Sequence, residues 1–302
     1  MGEKTEREKK VGLAILCVCI GQVLWGVSFM FTRMALNYAG PNTLLSVRFT
    51  IAFFILMGML ATGKCEFSPG KKRWKRLVAL AIMEPVYFLL ETYGILYTNA
   101  TFAGVILSIV PVIAMGMAAV TLGEYPAKKQ VVFCVVSVFG VILITVSGSS
   151  MGVWKPIGIV LLLLTAVSCA VYRTANRYLA LEFSPFERTF CVLLVSMVFF
   201  TVIALQTAGW DVAACYGPVF EPGFLVPVLM LSVFCSVISN MLVNYGAGKI
   251  SVTKLSTLAN IQTVCSIFGG IVFLQEPMTT MTFVGSILIF VGIWNVTKVK
   301  SE

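Results

Sequence analysis

Three ionisable side chains lie inside long apolar stretches of the sequence: Arg48, Glu84 and Glu91. A carboxyl group in such surroundings can accept and release a proton, or balance the charge of a cationic or zwitterionic ligand. Glu84 and Glu91 are seven residues apart, so a helix puts both on one face, about 10 Å apart along its axis. Tyr87 lies between them on that face. We expect this polar stripe to face the protein interior or a water-filled cavity.

The two carboxyl groups differ in the partners that the sequence offers them. Glu84 has no basic residue at its depth, which makes it the candidate for proton coupling; the alternative is a neutral carboxyl group that hydrogen-bonds to a neighbouring helix. Arg48 and Glu91 lie about 8 Å and about 9 Å below the outer ends of their predicted helices. Equal depth predicts an Arg48–Glu91 ion pair, so Glu91 is both a substrate-binding candidate and a structural candidate.

Asparagines in other apolar segments supply further polar groups. Ser236, Asn240 and Asn244 follow one another at four-residue spacing on one helical face, and Asn260 lies near the middle of the next segment. Amide groups can bind the amino or carboxyl end of a substrate, or they can hydrogen-bond one membrane helix to another. Both interpretations stay open for Asn240 and Asn244, and Asn260 is a candidate ligand of the substrate.

Two aromatic residues, Trp25 and Tyr172, are candidates for the wall of a binding site. Aromatic rings can stack on a substrate or hold a cation. The alternative for Trp25 is packing or anchoring at the membrane interface, although Trp25 lies near the middle of its apolar segment.

The composition requires a membrane around these groups. Of the 302 residues, 59% are hydrophobic and 12% are charged, and the mean hydropathy is +0.96. Ten apolar segments are long enough to cross about 30 Å of hydrocarbon as helices. Their predicted bounds are 11–34, 43–62, 77–97, 101–122, 128–147, 156–177, 186–206, 223–245, 251–273 and 279–297. The sequence therefore predicts an all-α integral membrane protein with ten transmembrane helices and a lipid bilayer as its surroundings.

The basic residues predict the orientation. With the N-terminus in the cytoplasm, 19 of the 22 lysines and arginines lie on the inner side, as the positive-inside rule requires. This count puts Arg173, Arg177 and Arg188 in the inner connection between the sixth and seventh segments. Both termini are then cytoplasmic and the protein lies in the cell membrane. The net charge of +9 is explained by these clusters, so we expect no nucleic-acid partner.

The residue types exclude several kinds of chemistry. The sequence has no histidine, a single aspartate (Asp211) and nine cysteines without a CxxC pair. Metal sites, disulfide frameworks and Ser-His-Asp catalysis are therefore not predicted. We expect neither an enzyme nor a bound cofactor.

An internal repeat divides the chain. A shift of 152 residues carries Glu124 onto Glu276 and Gly140 onto Gly292. Five segments in each half is an odd number, so the second copy is inverted relative to the first. We predict a first repeat at 1–148 and a second repeat at 153–298. Inverted repeats are typical of carriers whose site lies between the halves. Pro111 predicts a kink in the fourth segment, and because its equivalent is Thr263, the kink is expected in the first repeat only.

The order of several motifs resembles a known group. They are WGVSFMFTRMAL (25–36), RFTIAFFIL (48–56), YGILYTNATFAGVILSIVPVIAM (93–115) and LSTLANIQTVCSIFGGIVFLQEP (255–277). With the ten segments, they resemble the EamA-type transporters of the drug/metabolite transporter superfamily. The resemblance covers essentially the whole chain. It implies an exporter or exchanger of small metabolites, often amino acids or related compounds. It also implies a central cavity lined by the first, third, fourth, sixth, eighth and ninth segments.

The sequence thus predicts a secondary transporter that works by alternating access around a mid-membrane cavity. Its partners are a small-molecule substrate and the bilayer, and we expect a monomer or a weak homodimer. A channel or facilitator with a polar pore and no coupling is the alternative, because it would use similar residues.

Overall fold

The computed structural model describes residues 2–63, 67, 73–107, 109–123, 125–147, 155–275 and 279–298. Within these ranges every regular element is helical. The predicted first repeat contains α1 (Gly2–Ala35), α2 (Pro41–Ala61), α3 (Trp74–Tyr97), α4 (Ala100–Leu107), α5 (Val110–Leu122) and α6 (Lys128–Ser147). The predicted second repeat contains α7 (Pro156–Leu179), α8 (Pro185–Thr207), α9 (Val212–Tyr216), α10 (Pro222–Met230), α11 (Ser239–Ala247), α12 (Val252–Leu258), α13 (Asn260–Leu274) and α14 (Thr280–Lys298).

Six helical stretches of the described chain are long and apolar enough to cross a membrane. They are Lys10–Ala35, Pro41–Ala61, Trp74–Tyr97, Pro156–Leu179, Pro185–Thr207 and Pro222–Ala247. Their ends lie close to the ends expected from hydropathy. The other four predicted segments contain α4 with α5, α6, α12 with α13, and α14. The count of ten transmembrane helices and the cytoplasmic termini stay predictions.

The fourth and ninth predicted segments are both interrupted. In the first repeat α4 ends at Leu107 and α5 begins at Val110; in the second, α12 ends at Leu258 and α13 begins at Asn260. The expected one-sided kink is therefore wrong, because both segments are interrupted, at nearly the same place under the shift of 152. Pro111 lies at the start of α5, where its missing N–H group is tolerated. The second break lacks a proline; there, packing joins the two broken segments, and the hydroxyl of Thr263 donates to the carbonyl of Gly104 at 2.8 Å.

The third and eighth segments also depart from regular α-helical hydrogen bonding, at similar places along each segment. A π-helical stretch, Leu231–Ile238, joins α10 to α11, and Pro85 lies inside α3. A proline in a helix leaves one carbonyl without its usual donor, and π-helical turns occur mostly at functional sites. Because a shift of 152 carries residue 85 onto residue 237, both irregularities fall at equivalent places of the two repeats.

Contacts between α6 and α14 are reciprocal under the same shift. A Cβ atom added to Gly140 would lie 2.5 Å from the carbonyl oxygen of Gly285, and one added to Gly292 would lie 2.7 Å from that of Phe133. Residues 133 and 140 shift onto 285 and 292. The two helices therefore approach each other closely through equivalent glycines, as small residues allow in membrane proteins.

Two arginines make similar contacts, one within each half of the chain. Arg33 at the end of α1 donates to the carbonyl of Leu96 at 3.4 Å, and Arg177 at the end of α7 donates to the carbonyl of Ala247 at 3.0 Å. These carbonyls end α3 and α11, which are equivalent helices. A cation at a helix C-terminus satisfies free carbonyls and complements the helix dipole.

We expect Gly140→Ala to destabilise the protein, although alanine favours helices by about 1 kcal/mol over glycine. The new methyl group would meet the backbone of α14, which cannot rotate away, and overpacking of this kind costs about 1–3 kcal/mol. Gly116→Ala in α5 is the matched control, since a Cβ atom there meets nothing within 4 Å. Thermal unfolding in detergent should rank Gly140→Ala below the control; equal stability of the two variants would contradict the close approach.

An exposed clamp joins the start of α3 to the connection between α7 and α8. The main-chain N–H and the Nε atom of Arg73 both donate to the carboxylate of Glu182, the latter at 2.8 Å. The backbone hydrogen bond from Arg73 lowers the pKa of Glu182 below its usual value. Because the pair is solvent-exposed, its contribution to stability is small; it is present above the usual glutamate pKa and lost on acidification.

Candidate functional site

A cavity lies between helices from both halves of the chain. Its volume is about 30 Å³, which is room for about two water molecules. The walls come from α1, α3, α4, α5, α7, α11, α12 and α13, which occupy the six predicted segments that the resemblance implies. The lining residues on which the site depends are Gln22, Trp25, Glu84, Tyr87, Glu91, Tyr172, Arg173, Asn176, Asn240 and Asn244.

The polar stripe of α3 forms one wall of this cavity. Glu84, Tyr87 and Glu91 all line it, and the two glutamates are only 1% and 6% exposed. Helical spacing explains why all three face the same way. Arg173 of α7 lines the same cavity. The cavity therefore has two carboxyl groups on one helix and a guanidinium group on a neighbouring helix.

Arg48 is buried behind this wall, on α2. Its Nε atom donates to the hydroxyl of Ser236 in the π-helical stretch at 2.8 Å. Its guanidinium lies over the rings of Phe88 and Phe49, 4.7 Å and 5.4 Å from their centroids. Its Nη2 atom has no hydrogen-bond partner among the described residues. The hydrogen bond of Arg48 thus goes to Ser236, and the ion pair with Glu91 stays a prediction.

The two predicted aromatic residues both lie in the cavity wall. The indole N–H of Trp25 donates to the carbonyl of Cys235 at 2.8 Å, which fixes the orientation of the ring against the π-helical stretch. Tyr172 is buried, and its hydroxyl has no partner in the described part of the chain. Trp25 therefore offers an oriented apolar face, and Tyr172 offers a free hydroxyl group.

The predicted asparagines have different surroundings. Asn240 donates through Nδ2 to the carbonyl of Ser236 at 2.8 Å. Asn244 accepts from Nδ2 of Asn176 at 2.7 Å and donates to the hydroxyl of Thr189 at 2.8 Å. Both line the cavity, yet the bonds of Asn244 join three helices, which favours its structural interpretation.

Asn260 was the remaining asparagine candidate. It begins α13, and its side chain lies outside the described part of the structure. Its role as a ligand stays a prediction.

Comparison with known proteins identifies the family to which this arrangement belongs. The sequence profile of the EamA-like transporter family matches residues 12–146 and again residues 156–297. The chain belongs to the EamA-like transporter family. The family assignment and the apolar helices make this a multi-pass membrane protein with a role in transport.

Relatives of this EamA-like protein extend over nearly its whole length. The uncharacterized transporter YcxC of Bacillus subtilis is 31% identical over 284 residues, which cover 93% of this chain and 91% of YcxC. A protein of Streptantibioticus cattleyicolor, named a probable terminal-alkyne amino-acid exporter, is 23% identical over 292 residues, 96% and 95% of the two chains. A solved crystal structure that is 18% identical has a TM-score of 0.70 and covers 94% of this chain and 96% of its own. At that identity it shows a shared fold alone.

The cavity also contains a residue that sequence reasoning missed. Arg173 was expected in an inner connection, but it lies inside α7, lines the cavity and is 8% exposed. Gln22, which shares one face of α1 with Trp25, lines the cavity as well. The spacing of Cys169, Tyr172, Arg173 and Asn176 is the pattern of one helical face. That periodicity places Arg173 on the same face of α7 as Tyr172, which the sequence had already offered as a wall residue.

Several polar atoms in the wall of the cavity lack hydrogen-bond partners among the described residues. They are Oε1 and Nε2 of Gln22, Oε2 of Glu84, the hydroxyl of Tyr172 and Nη1 of Arg173. An unpaired buried polar group costs about 1–3 kcal/mol, and proteins rarely leave one without a reason. Here the unpaired atoms include donors, acceptors and both signs of charge, and they converge on one cavity. This arrangement is suited to a small polar ligand.

Arg188 on α8 lies next to the cavity and binds two residues of its wall. It is 1% exposed. Its Nη1 atom donates to the side-chain oxygen of Asn176 at 2.8 Å, and its Nη2 atom donates to the carbonyl of Asn244 at 2.6 Å. These bonds connect α7, α8 and α11 within the second repeat. Arg188 therefore positions two residues of the cavity wall.

Proposed function

We propose that this EamA-like protein is a secondary transporter that exports or exchanges small metabolites, such as amino acids or related compounds. The observation that carries the proposal is the cavity between the two halves of the chain, where polar atoms of an acidic and a basic side chain have no hydrogen-bond partner in the described structure. The family supports transport, and the relative named as an amino-acid exporter supports the substrate class. The sequence contains no phosphate-binding loop for a nucleotide, so an ion gradient or the substrate gradient supplies the energy. We propose no covalent chemistry.

The proposed architecture is ten transmembrane helices in the cell membrane, in a monomer or weak homodimer with both termini in the cytoplasm. The first repeat (1–148) and the inverted second repeat (153–298) rock around the cavity and expose it to each side in turn. The basic clusters support the orientation. The two family matches, the paired breaks in the fourth and ninth segments and the reciprocal glycine and arginine contacts support the inverted repeat.

In this proposal Glu84 couples transport to protons, because it is a buried carboxyl group in the cavity and its Oε2 atom has no partner within the described ranges. Arg48 lies behind it and, through the predicted pair with Glu91, holds that carboxylate at the wall. The proposed substrate-binding residues are Trp25, Tyr87, Glu91, Tyr172, Asn240, Asn244 and Asn260.

The test is uptake of radiolabelled amino acids and organic cations into proteoliposomes, with and without an imposed pH gradient. We expect saturable uptake of at least one compound, and acceleration of that uptake when the unlabelled compound is loaded inside. Protein-free liposomes are the control. Uptake that rises linearly with concentration and shows no counter-exchange would instead identify a channel, because only a carrier alternates with one bound substrate at a time.

A further inference from the structure

We propose that Arg173 and Glu91 form two opposed halves of one subsite, Arg173 for a carboxylate and Glu91 for an ammonium group. The ligand is then a zwitterion that is held by both repeats at once, since Glu91 is on α3 and Arg173 on α7. This inference rests on the proposed function and specifies how its cavity selects a substrate.

Arg173 is suited to bind an anion from the cavity. It is 8% exposed, lines the cavity and has an Nη1 atom without a hydrogen-bond partner among the described residues. Arg177, one turn further along α7, donates to the carbonyl of Ala247, and Arg188 donates to Asn176 and Asn244. A guanidinium group with an unpaired donor can hydrogen-bond to a carboxylate, and this bond is strengthened by the opposite charges.

Glu91 is suited to bind the cationic end of the same ligand. Its carboxyl group lines the cavity, as Arg173 does. Glu91 is on α3 and Arg173 is on α7, and these two helices pack against each other. The two side chains can therefore reach one ligand from opposite halves of the chain. Glu84 remains the proton-coupling residue.

The rest of the wall indicates the size and polarity of the side chain. Trp25 and five aliphatic residues contribute apolar surface to the lining. The aliphatic residues are Leu107, Val110, Val243, Leu255 and Ala259. A short apolar side chain can be buried there without leaving a polar group unpaired. Leucine has both charges and such a side chain.

Binding by both repeats has a consequence for the transport cycle. A ligand shifts a conformational equilibrium only by its difference in affinity between the two states. A zwitterion draws α3 and α7 onto one molecule and so favours the closed state in which both contacts form. An amine or a carboxylate alone engages one side of the cavity and lacks this preference.

The test measures binding of three probes to the purified full-length protein by isothermal titration calorimetry. The probes are leucine, 3-methylbutylamine, which lacks the carboxylate, and 4-methylpentanoate, which lacks the amine. For the wild type we expect leucine to bind about 10- to 100-fold more tightly than either analogue, the range for losing a charged hydrogen bond. Leucine and 3-methylbutylamine binding equally would overturn the inference.

Two variants assign the charges to residues. In Arg173→Gln, leucine should bind as weakly as 3-methylbutylamine does, while the amine itself binds as in the wild type. In Glu91→Gln, leucine should bind as weakly as 4-methylpentanoate. Arg177→Gln is the matched control and should keep the wild-type order. A preference for leucine over the amine that survives in Arg173→Gln would overturn the role of Arg173.

Folding and transport are separated from this result. Arg173→Lys keeps the charge and loses the fork, so it should retain part of the preference for leucine even if Arg173→Gln fails to fold; a complete loss with an intact fold would contradict a simple charge role. The expected binding order without counter-exchange of any compound in proteoliposomes would leave the inference standing and reject the proposed transport. Transport of other compounds without leucine binding would do the reverse.

Discussion

Replacing Glu84 by glutamine should abolish the response of substrate uptake to a pH gradient and leave saturable exchange in place. Glutamine has nearly the same shape and can hydrogen-bond, but it cannot release a proton. Glu84 lines the cavity and is 1% exposed, and its Oε2 atom has no hydrogen-bond partner among the described residues. Coupling of one proton to one substrate allows about tenfold accumulation per pH unit, because a pH unit is worth about 1.4 kcal/mol. We therefore expect about a tenfold accumulation to disappear.

The measurement is gradient-driven accumulation in proteoliposomes, compared with exchange at equal pH. Glu187→Gln is the matched control: Glu187 is also 1% exposed, but it belongs to the capping box at the start of α8 with Ser184. That variant should keep the pH response. A pH response that persists in Glu84→Gln would favour the alternative in which Glu84 is a neutral hydrogen-bonding group.

The placement of Glu84, Tyr87 and Glu91 on one cavity wall could be predicted from the sequence because a helix is periodic. Once α3 forms, residues at three- and four-residue spacing must share a face, and a polar face cannot contact lipid. The ends of the long helices could be predicted for a similar local reason, since prolines and glycines flank the apolar runs. Pro41, Pro156 and Pro185 each lie at the start of a helix.

Arg173 and Arg188 show where such local reasoning ends. A cluster of arginines at the edge of an apolar segment has the composition of a cytoplasmic connection. Only the packing of α7 against α3 and α11 decides that Arg173 faces the cavity, while Arg188 is enclosed between helices. The same holds for the break between α12 and α13. Pro111 predicts the break between α4 and α5, but no residue type near the break between α12 and α13 predicts that one. Residues far apart in sequence determine these features, and a single sequence does not reveal their contacts.

Replacing Arg188 by leucine should prevent stable folding, although leucine is more apolar than arginine. Arg188 donates to the side-chain oxygen of Asn176 and to the carbonyl of Asn244, and both acceptors are buried. Removing one partner of a buried polar network leaves the others unpaired, which costs about 1–3 kcal/mol for each group. Two such groups lower the free energy of unfolding by about 2–6 kcal/mol by the same range, a large part of the stability of an ordinary protein. The measurement is the yield of monodisperse protein and its thermal unfolding in detergent.

Arg177→Leu provides the comparison, since Arg177 is on the same side of the second repeat and donates to the carbonyl of Ala247 from a half-buried position. Water can replace part of that bond, so we expect a loss of about 1 kcal/mol. Arg188→Lys should lie between the two, because an ammonium group can reach one acceptor but cannot bridge both as a planar fork does. If Arg188→Leu were as stable as the wild type and still failed to transport, Arg188 would act on the substrate. Arg188 would then belong to the binding site, and the hydrogen bonds of Asn176 and Asn244 would change when a ligand enters.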